Sequence, residues 1–174
     1  LLETDDDLCP RVGKGTDQSI ALASSLVKSH PGKYFMPNQY ENEANFRAHY
    51  ESTGPEIWKA NAEISHFVTG IGTGGSITGI AQFLKEQDST IKVIAVTPQP
   101  EHHIQGLRNL RESSMPKLLG RRVALIDEWI EVSDAQAFAA VRAVGDRENI
   151  FIGPSSGAVL HASLEISRRR GTKS

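Results

Sequence analysis

A chain of 174 residues with 39% hydrophobic residues, 23% charged residues and a formal net charge of -2 has the make-up of an ordinary globular protein. That balance implies no polyanion partner such as nucleic acid, the longest apolar runs fall far short of a membrane span, and Asp5-Asp6-Asp7 so near the start is unlike a secretory signal. A cytoplasmic protein is expected, and its single cysteine, Cys9, has no partner for an internal disulfide, which fits a reducing compartment.

In chain order, Asp17 to about residue 30 reads as a helix, with Asp17 near its start and Pro31-Gly32 beyond its end. The apolar run Tyr34-Phe35-Met36 leads into a loop rich in Asn and Glu, followed by a helix from Asn45 to about Tyr50 and another from Pro55 to Ala60. Phe67 to Thr69 is expected as a strand, Ser76 to Glu86 as a helix and Val93 to Thr97 as a buried strand. Residues 98–127 carry Pro98, Pro100 and Pro116 and little periodicity; a connection of that length is uncommon without a function, so it is expected to border the site. Glu128 to Val132 alternates like a strand, and Asp134 to Asp146 reads as a helix with Ser133 as candidate N-cap. Ile150-Phe151-Ile152 reads as another short strand, and a turn from Gly153 to Gly157 is expected to open a last helix from Ala158 to about Arg170. The alternation of strand and helix predicts an α/β fold in three layers around a mainly parallel sheet.

Gly72-Thr73-Gly74-Gly75-Ser76 joins the first strand to a helix start. Without side chains at Gly72, Gly74 and Gly75, several amides can converge on one anion, and the unpaired N–H groups and positive dipole end of the helix favour its charge. Thr73 and Ser76 add hydroxyl donors. The same glycines would serve a tight strand-to-helix turn in any α/β protein. Gly70 to Gly75 also has the outline of a dinucleotide-binding turn, yet no acidic ribose partner stands at the end of the next strand, where Thr90-Ile91-Lys92-Val93 occupies the neighbourhood.

Four blocks then carry a family resemblance: Pro37 to Asn45 followed by Thr53-Gly54-Pro55-Glu56-Ile57-Trp58; the glycine loop with Thr78-Gly79; Ile104-Gln105-Gly106-Leu107-Arg108-Asn109; and Gly153-Pro154-Ser155-Ser156-Gly157-Ala158. In order and spacing the chain resembles the cysteine synthase (O-acetylserine or O-phosphoserine sulfhydrylase) branch of the fold-type II pyridoxal-phosphate enzymes. The resemblance implies pyridoxal 5'-phosphate as cofactor, held by Gly72, Thr73, Gly74, Gly75 and Ser76 at its phosphate, with the Ser155 hydroxyl accompanying the pyridine nitrogen. On Ser155 alone, a helix cap is an equally ordinary use. It further implies that Gln39 donates to the substrate carboxylate and that Gly106 lets the backbone approach the amino-acid substrate. Arg108, whose guanidinium fork matches a phosphate, would favour O-phosphoserine over O-acetylserine.

Two departures accompany the match. The family is similar in layout to a two-domain enzyme of about 300 residues, and its Schiff-base lysine, in a Ser-Val-Lys-Asp-like segment, and its asparagine loop have no counterpart here; none of Lys14, Lys28, Lys33, Lys59, Lys85, Lys92, Lys117 and Lys173 has that context. The expectation is a carboxyl-terminal fragment: residues 1–40 a remnant of the smaller domain, residues 41–174 the larger cofactor-binding domain lacking its final strand. No catalytic residue is assigned within the chain, and the fragment alone is expected to be inactive. The parent activity implied is β-replacement on an activated serine by sulfide or another sulfur donor to give L-cysteine, in a protein expected to be a homodimer. Cystathionine β-synthase-like and serine or threonine dehydratase-like enzymes are alternatives, as are a non-catalytic homologue and a nucleotide-binding domain. Glu101-His102-His103 has no further ligand at metal spacing, Arg168-Arg169-Arg170 complements a helix C-terminus, and Trp58 and Trp129 are expected to pack.

Overall fold

The computed structural model describes residues 16–171. Cys9 and the first fifteen residues of the expected 1–40 segment lie outside those residues. The helices are α1 (Thr16–Ser29), α2 (Glu43–Ala48), α3 (Gly54–Ala60), α4 (Gly75–Gln87), α5 (Lys117–Gly120), α6 (Asp134–Glu148) and α7 (Pro154–Gly171). The strands are β1 (His66–Gly70), β2 (Lys92–Pro98) and β3 (Glu128–Val132), joined in the order β1-β2-β3 with every pairing parallel.

Side-chain alternation along β2 builds the layers. Ile94 and Val96 face a core with Ile130 and Val132 of β3, Ala137 of α6 and Ala158, Ala162 and Ile166 of α7. Val93 and Ala95 face the opposite core, with Ile77 and Ala81 of α4 and Leu119 of α5. A strand buried on both faces reads as a continuous apolar run, which is how Val93 to Val96 stands in the sequence. A third cluster, Ile80, Leu84 and Ile91 with Ile57, Trp58 and Phe83, seats α3 on the outer side of α4. The helix–sheet–helix layering is the expected one, and α6 opens on the expected cap: the Ser133 hydroxyl accepts from the Gln136 amide while the Gln136 side chain accepts from the Ser133 amide, a capping box.

Four local expectations need correction. Residues 43–60 are not two separate helices; α2 runs through a π-helical turn (His49–Thr53) directly into α3, with Gly54 donating its amide to the His49 carbonyl. Ile150-Phe151-Ile152 forms no strand, with Phe151 92% exposed. Its apolar character suits a strand, but a strand exists only through a hydrogen-bonded neighbour, and no described strand pairs with it. α7 starts at Pro154 rather than Ala158, because proline is well placed in a first helical turn, where its missing N–H costs nothing. Trp129 is 40% exposed on an edge strand, whereas Trp58 packs as expected.

The long connection 98–116 is stitched to itself rather than loose. Asn109 donates to the Pro98 carbonyl at 2.7 Å and accepts from the Arg111 amide at 2.8 Å, Ser113 Oγ donates to the Asn109 carbonyl at 2.6 Å, and the Arg108 amide donates to the Ile71 carbonyl at 2.8 Å. His103 gives its amide and ring nitrogen to Asp134 at the start of α6.

Candidate functional site

Parallel strands place their following loops together at the carboxyl edge of the sheet, where ligands bind in open α/β folds. The loop after β1 and the loop after β2 meet there. Gln39, Gly72, Thr73, Gly106 and Arg108 border one cleft of about 320 Å³. Gly70, Gly106, Leu107 and Ser155 border a neighbouring one of about 480 Å³, so Gly106 and Leu107 form the shared wall. The connection 98–127 thus borders the site, as its length suggested. A larger groove of about 710 Å³ runs along β1 between α3 and α7 and carries none of the candidate residues.

The glycine loop has the conformation an anion seat needs. Gly74 caps α4 at φ +86° with no side-chain hydrogen bond of its own, and the first amide of α4, that of Gly75, makes only a long contact of 3.4 Å to Thr73 Oγ1, which leaves the helix start open to an anion. A side chain at Gly74 would also press on Leu119, its Cβ coming 2.7 Å from that of Leu119. Its glycine identity therefore serves both backbone conformation and packing against α5, and Gly74 and Gly75 are buried behind the clefts rather than lining them. Gly72 does line the cleft: a Cβ there would lie 3.0 Å from the Gly106 carbonyl.

Two residues absent from the sequence-based site hold the hydroxyls. Asn45 Nδ2 donates to the Gln39 carbonyl at 2.7 Å and to Thr73 Oγ1 at 3.0 Å. Because Thr73 accepts that bond, its own proton is left to donate outward. Ser76 Oγ lies 3.0 Å from His49 Nε2, and His49 Nδ1 lies 3.0 Å from Thr53 Oγ1. His49 thus links Thr53 to Ser76, with the imidazole tautomer deciding which partner donates at each end. The π-helical turn sets His49 on this line, and such turns are frequent at functional sites. The available signal was the spacing: Asn45 and His49 stand four apart, on one face of a helix, within a stretch already noted for its asparagines.

Ser155 is half-buried in the first turn of α7, not at its cap, so a capping role does not account for it. Gly106, at φ +87°, would place a Cβ 4.0 Å from Ser155 Oγ. Gln39 is exposed, on the loop tied down by Asn45. Arg108 is not a free cation at the cleft surface. Its side chain is 3% exposed, Nη1 meets Asp17 Oδ1 at 3.3 Å and the Ser114 carbonyl at 3.0 Å, the guanidinium lies 5.0 Å from the centre of the Tyr40 ring, and Nη2 is buried without a partner.

The donor set fits a phosphorylated cofactor: a helix start with no side chain from its cap residue, a Thr73 hydroxyl whose acceptor side is engaged by Asn45, the Ser76 hydroxyl beside it, and a serine across a glycine-walled cleft. Comparisons with known proteins agree. A family model described as pyridoxal-phosphate dependent enzyme matches residues 8–173. The cysteine synthase of Aquifex aeolicus is 40% identical over 162 residues, covering 92% of this chain and 49% of that protein. Cysteine synthase B of Salmonella typhimurium is 34% identical over 145 residues, covering 83% and 47%. Among solved structures, a hydrogen sulfide-producing enzyme from Fusobacterium nucleatum superposes with a TM-score of 0.83 at 34% identity over 96% of this chain and 56% of the other. A cysteine synthase from Entamoeba histolytica does so with a TM-score of 0.71 at 33% identity, over 81% and 43%. The chain spans about half the length of the curated relatives it matches.

Proposed function

The chain belongs to the pyridoxal-phosphate dependent enzyme family, and from that premise we propose that it forms the cofactor-binding part of a cysteine synthase, acting on O-acetylserine or O-phosphoserine with a sulfur donor to give L-cysteine. The observation that carries the reading is the pairing of the glycine loop that leads into α4, through Gly72 and Thr73, with Ser155 across the wall of Gly106 and Leu107. When bound, pyridoxal phosphate supplies the electron sink that lets the β-substituent of an activated serine leave and sulfur take its place.

The residues divide the work. The amides of Gly72 to Ser76 and the Thr73 and Ser76 hydroxyls would hold the phosphate, with Asn45 fixing the direction in which Thr73 donates and His49 holding Ser76 in place. Ser155 would meet the pyridine nitrogen with a neutral hydroxyl, which would leave that nitrogen less protonated than a carboxylate would. Gln39 offers an uncharged amide to the substrate carboxylate, and Gly106 keeps the wall low enough for the amino acid to lie against it. In this reading residues 1–40 belong to a smaller domain and 41–174 to the larger one; α1 buries no residue fully and reaches the rest through polar contacts such as Asp17 with Arg108. The full-length protein is a cytoplasmic homodimer. Among the described residues no helix is long and apolar enough to cross a membrane.

The test is spectroscopic. Full-length protein carrying this chain should take up pyridoxal phosphate with a visible absorption band, respond to O-acetylserine or O-phosphoserine with a spectral shift, and form cysteine when sulfide is added. A protein that binds the cofactor but changes with neither donor would overturn the reading. The extent of the match to the hydrogen sulfide-producing enzyme favours one second reading, release of sulfide from cysteine, in which the thiol leaves instead of an ester. Sulfide evolved from L-cysteine alone, faster than cysteine is made, would select it.

A further inference from the structure

The one cation bordering the substrate cleft among the described residues is Arg108, and its counter-charge is built in. Asp17 Oδ1 takes Arg108 Nη1 while Asp17 Oδ2 accepts from Ser114 Oγ at 3.0 Å, so the carboxylate is held on both oxygens. Its side chain is 14% exposed. Lys117, bordering the adjoining cavity, is likewise paired, with Glu41 at 2.8 Å. A formally neutral cleft therefore faces the donor.

Resting on the reading of this site as a β-replacement centre, we propose that Asp17 is the residue that sets the donor class: by neutralising Arg108 it selects an activated serine whose leaving group is an uncharged ester and excludes a phosphorylated one. A phosphoserine brings about 1.5 to 2 negative charges on its phosphate at neutral pH. To meet them with its fork, Arg108 would have to leave Asp17, stranding a carboxylate that is largely shielded from water, and breaking such a pair costs far more than the pair itself contributes. An acyl ester adds no charge and asks for no exchange of partners. The Arg108 side chain, packed under Tyr40 with Nη2 closed off from solvent, is already in the arrangement that exchange would undo.

The experiment compares O-acetyl-L-serine with O-phospho-L-serine in the full-length protein carrying this chain. The unmodified protein should favour the acetyl donor in kcat/KM. Asp17→Asn keeps the shape and removes the charge, and should raise kcat/KM for O-phosphoserine at least about tenfold, the size expected of one charge-assisted hydrogen bond, with little change for O-acetylserine. Adding Arg108→Gln to Asp17→Asn should erase that gain, and Asp17→Glu should keep the native preference. Should thermal melting show Asp17→Asn to be unfolded, Ser114→Ala loosens the same carboxylate and should move the ratio in the same direction. A native preference for O-phosphoserine, or an unchanged ratio in Asp17→Asn, overturns the proposal. If neither donor reacts, the reaction assignment fails by itself. Calorimetric binding of O-phospho-L-serine still decides the role of Asp17, since Asp17→Asn must bind it more tightly than the unmodified protein and equal affinity overturns it.

Discussion

His102 shows how a single side chain can look functional in sequence and prove structural. It stands beside His103 and Glu101, yet it is 2% exposed, its Nδ1 accepts the Ile104 amide at 3.1 Å, and its Nε2 is buried without a partner. Burial holds its imidazole below the usual histidine range, with the Asp134 and Glu112 carboxylates pulling the other way. In the unfolded chain histidine titrates near about 6.5, so below that pH the unfolded state takes a proton the folded state refuses, and stability falls as pH drops toward the folded value. Above about 6.5 the contribution is fully present. The urea midpoint should therefore decline from pH 7 to pH 5, and decline less in His102→Asn, whose Oδ1 can take the same amide two residues on. Identical slopes in the two proteins would show that another group titrates.

At the scale of elements, the approach of α2 and its π-helical turn to α4 is what carries Asn45 and His49 to the glycine loop. Gly79 makes that approach possible: a Cβ there would stand 2.5 Å from the Phe46 carbonyl oxygen and 2.8 Å from His49 Cβ. Alanine improves an exposed helix by about 0.8 to 1 kcal/mol over glycine, but overpacking a closed contact costs about 1 to 3 kcal/mol, and here the obstacle is backbone. Gly79→Ala should therefore lower stability by roughly 1 to 2 kcal/mol despite its better propensity, read as a shift in the urea midpoint. Because the contact also orients Asn45 and His49, the affinity for pyridoxal phosphate should fall with it. A stabilised variant with unchanged cofactor titration would mean that α2 rides on α4 without positioning the loop.

For the whole molecule, the question is whether these layers suffice for chemistry. Among the described lysines none borders either cleft that holds Thr73 or Ser155; Lys85 and Lys92 are tied to Asp127 and Lys117 to Glu41. The 174-residue chain should accordingly bind pyridoxal phosphate weakly, through phosphate and ring contacts, and form no cysteine. Borohydride reduction in the presence of the cofactor, followed by peptide mapping, is the check. A pyridoxyl group fixed on one specific lysine of this chain, in a preparation that makes cysteine, would overturn the expectation.

The sequence by itself determined the parts whose causes are local. The buried run of β2, the N-cap at Ser133 and the glycine-rich start of α4 all follow from residue type and short-range geometry, and the family resemblance followed from blocks readable in order. The tertiary structure decided whatever depends on a neighbour distant in the chain. Ile150-Phe151-Ile152 has the composition of a strand but no described strand beside it. Asn45 and His49 joined the site only once α2 was laid across α4, 27 residues away at the His49–Ser76 contact. Arg108 carries the same formal charge in either description, but only folding sets Asp17, 91 residues earlier, against its guanidinium and turns an apparent phosphate fork into a neutral pair, because what a charge can bind depends on which counter-charge already holds it.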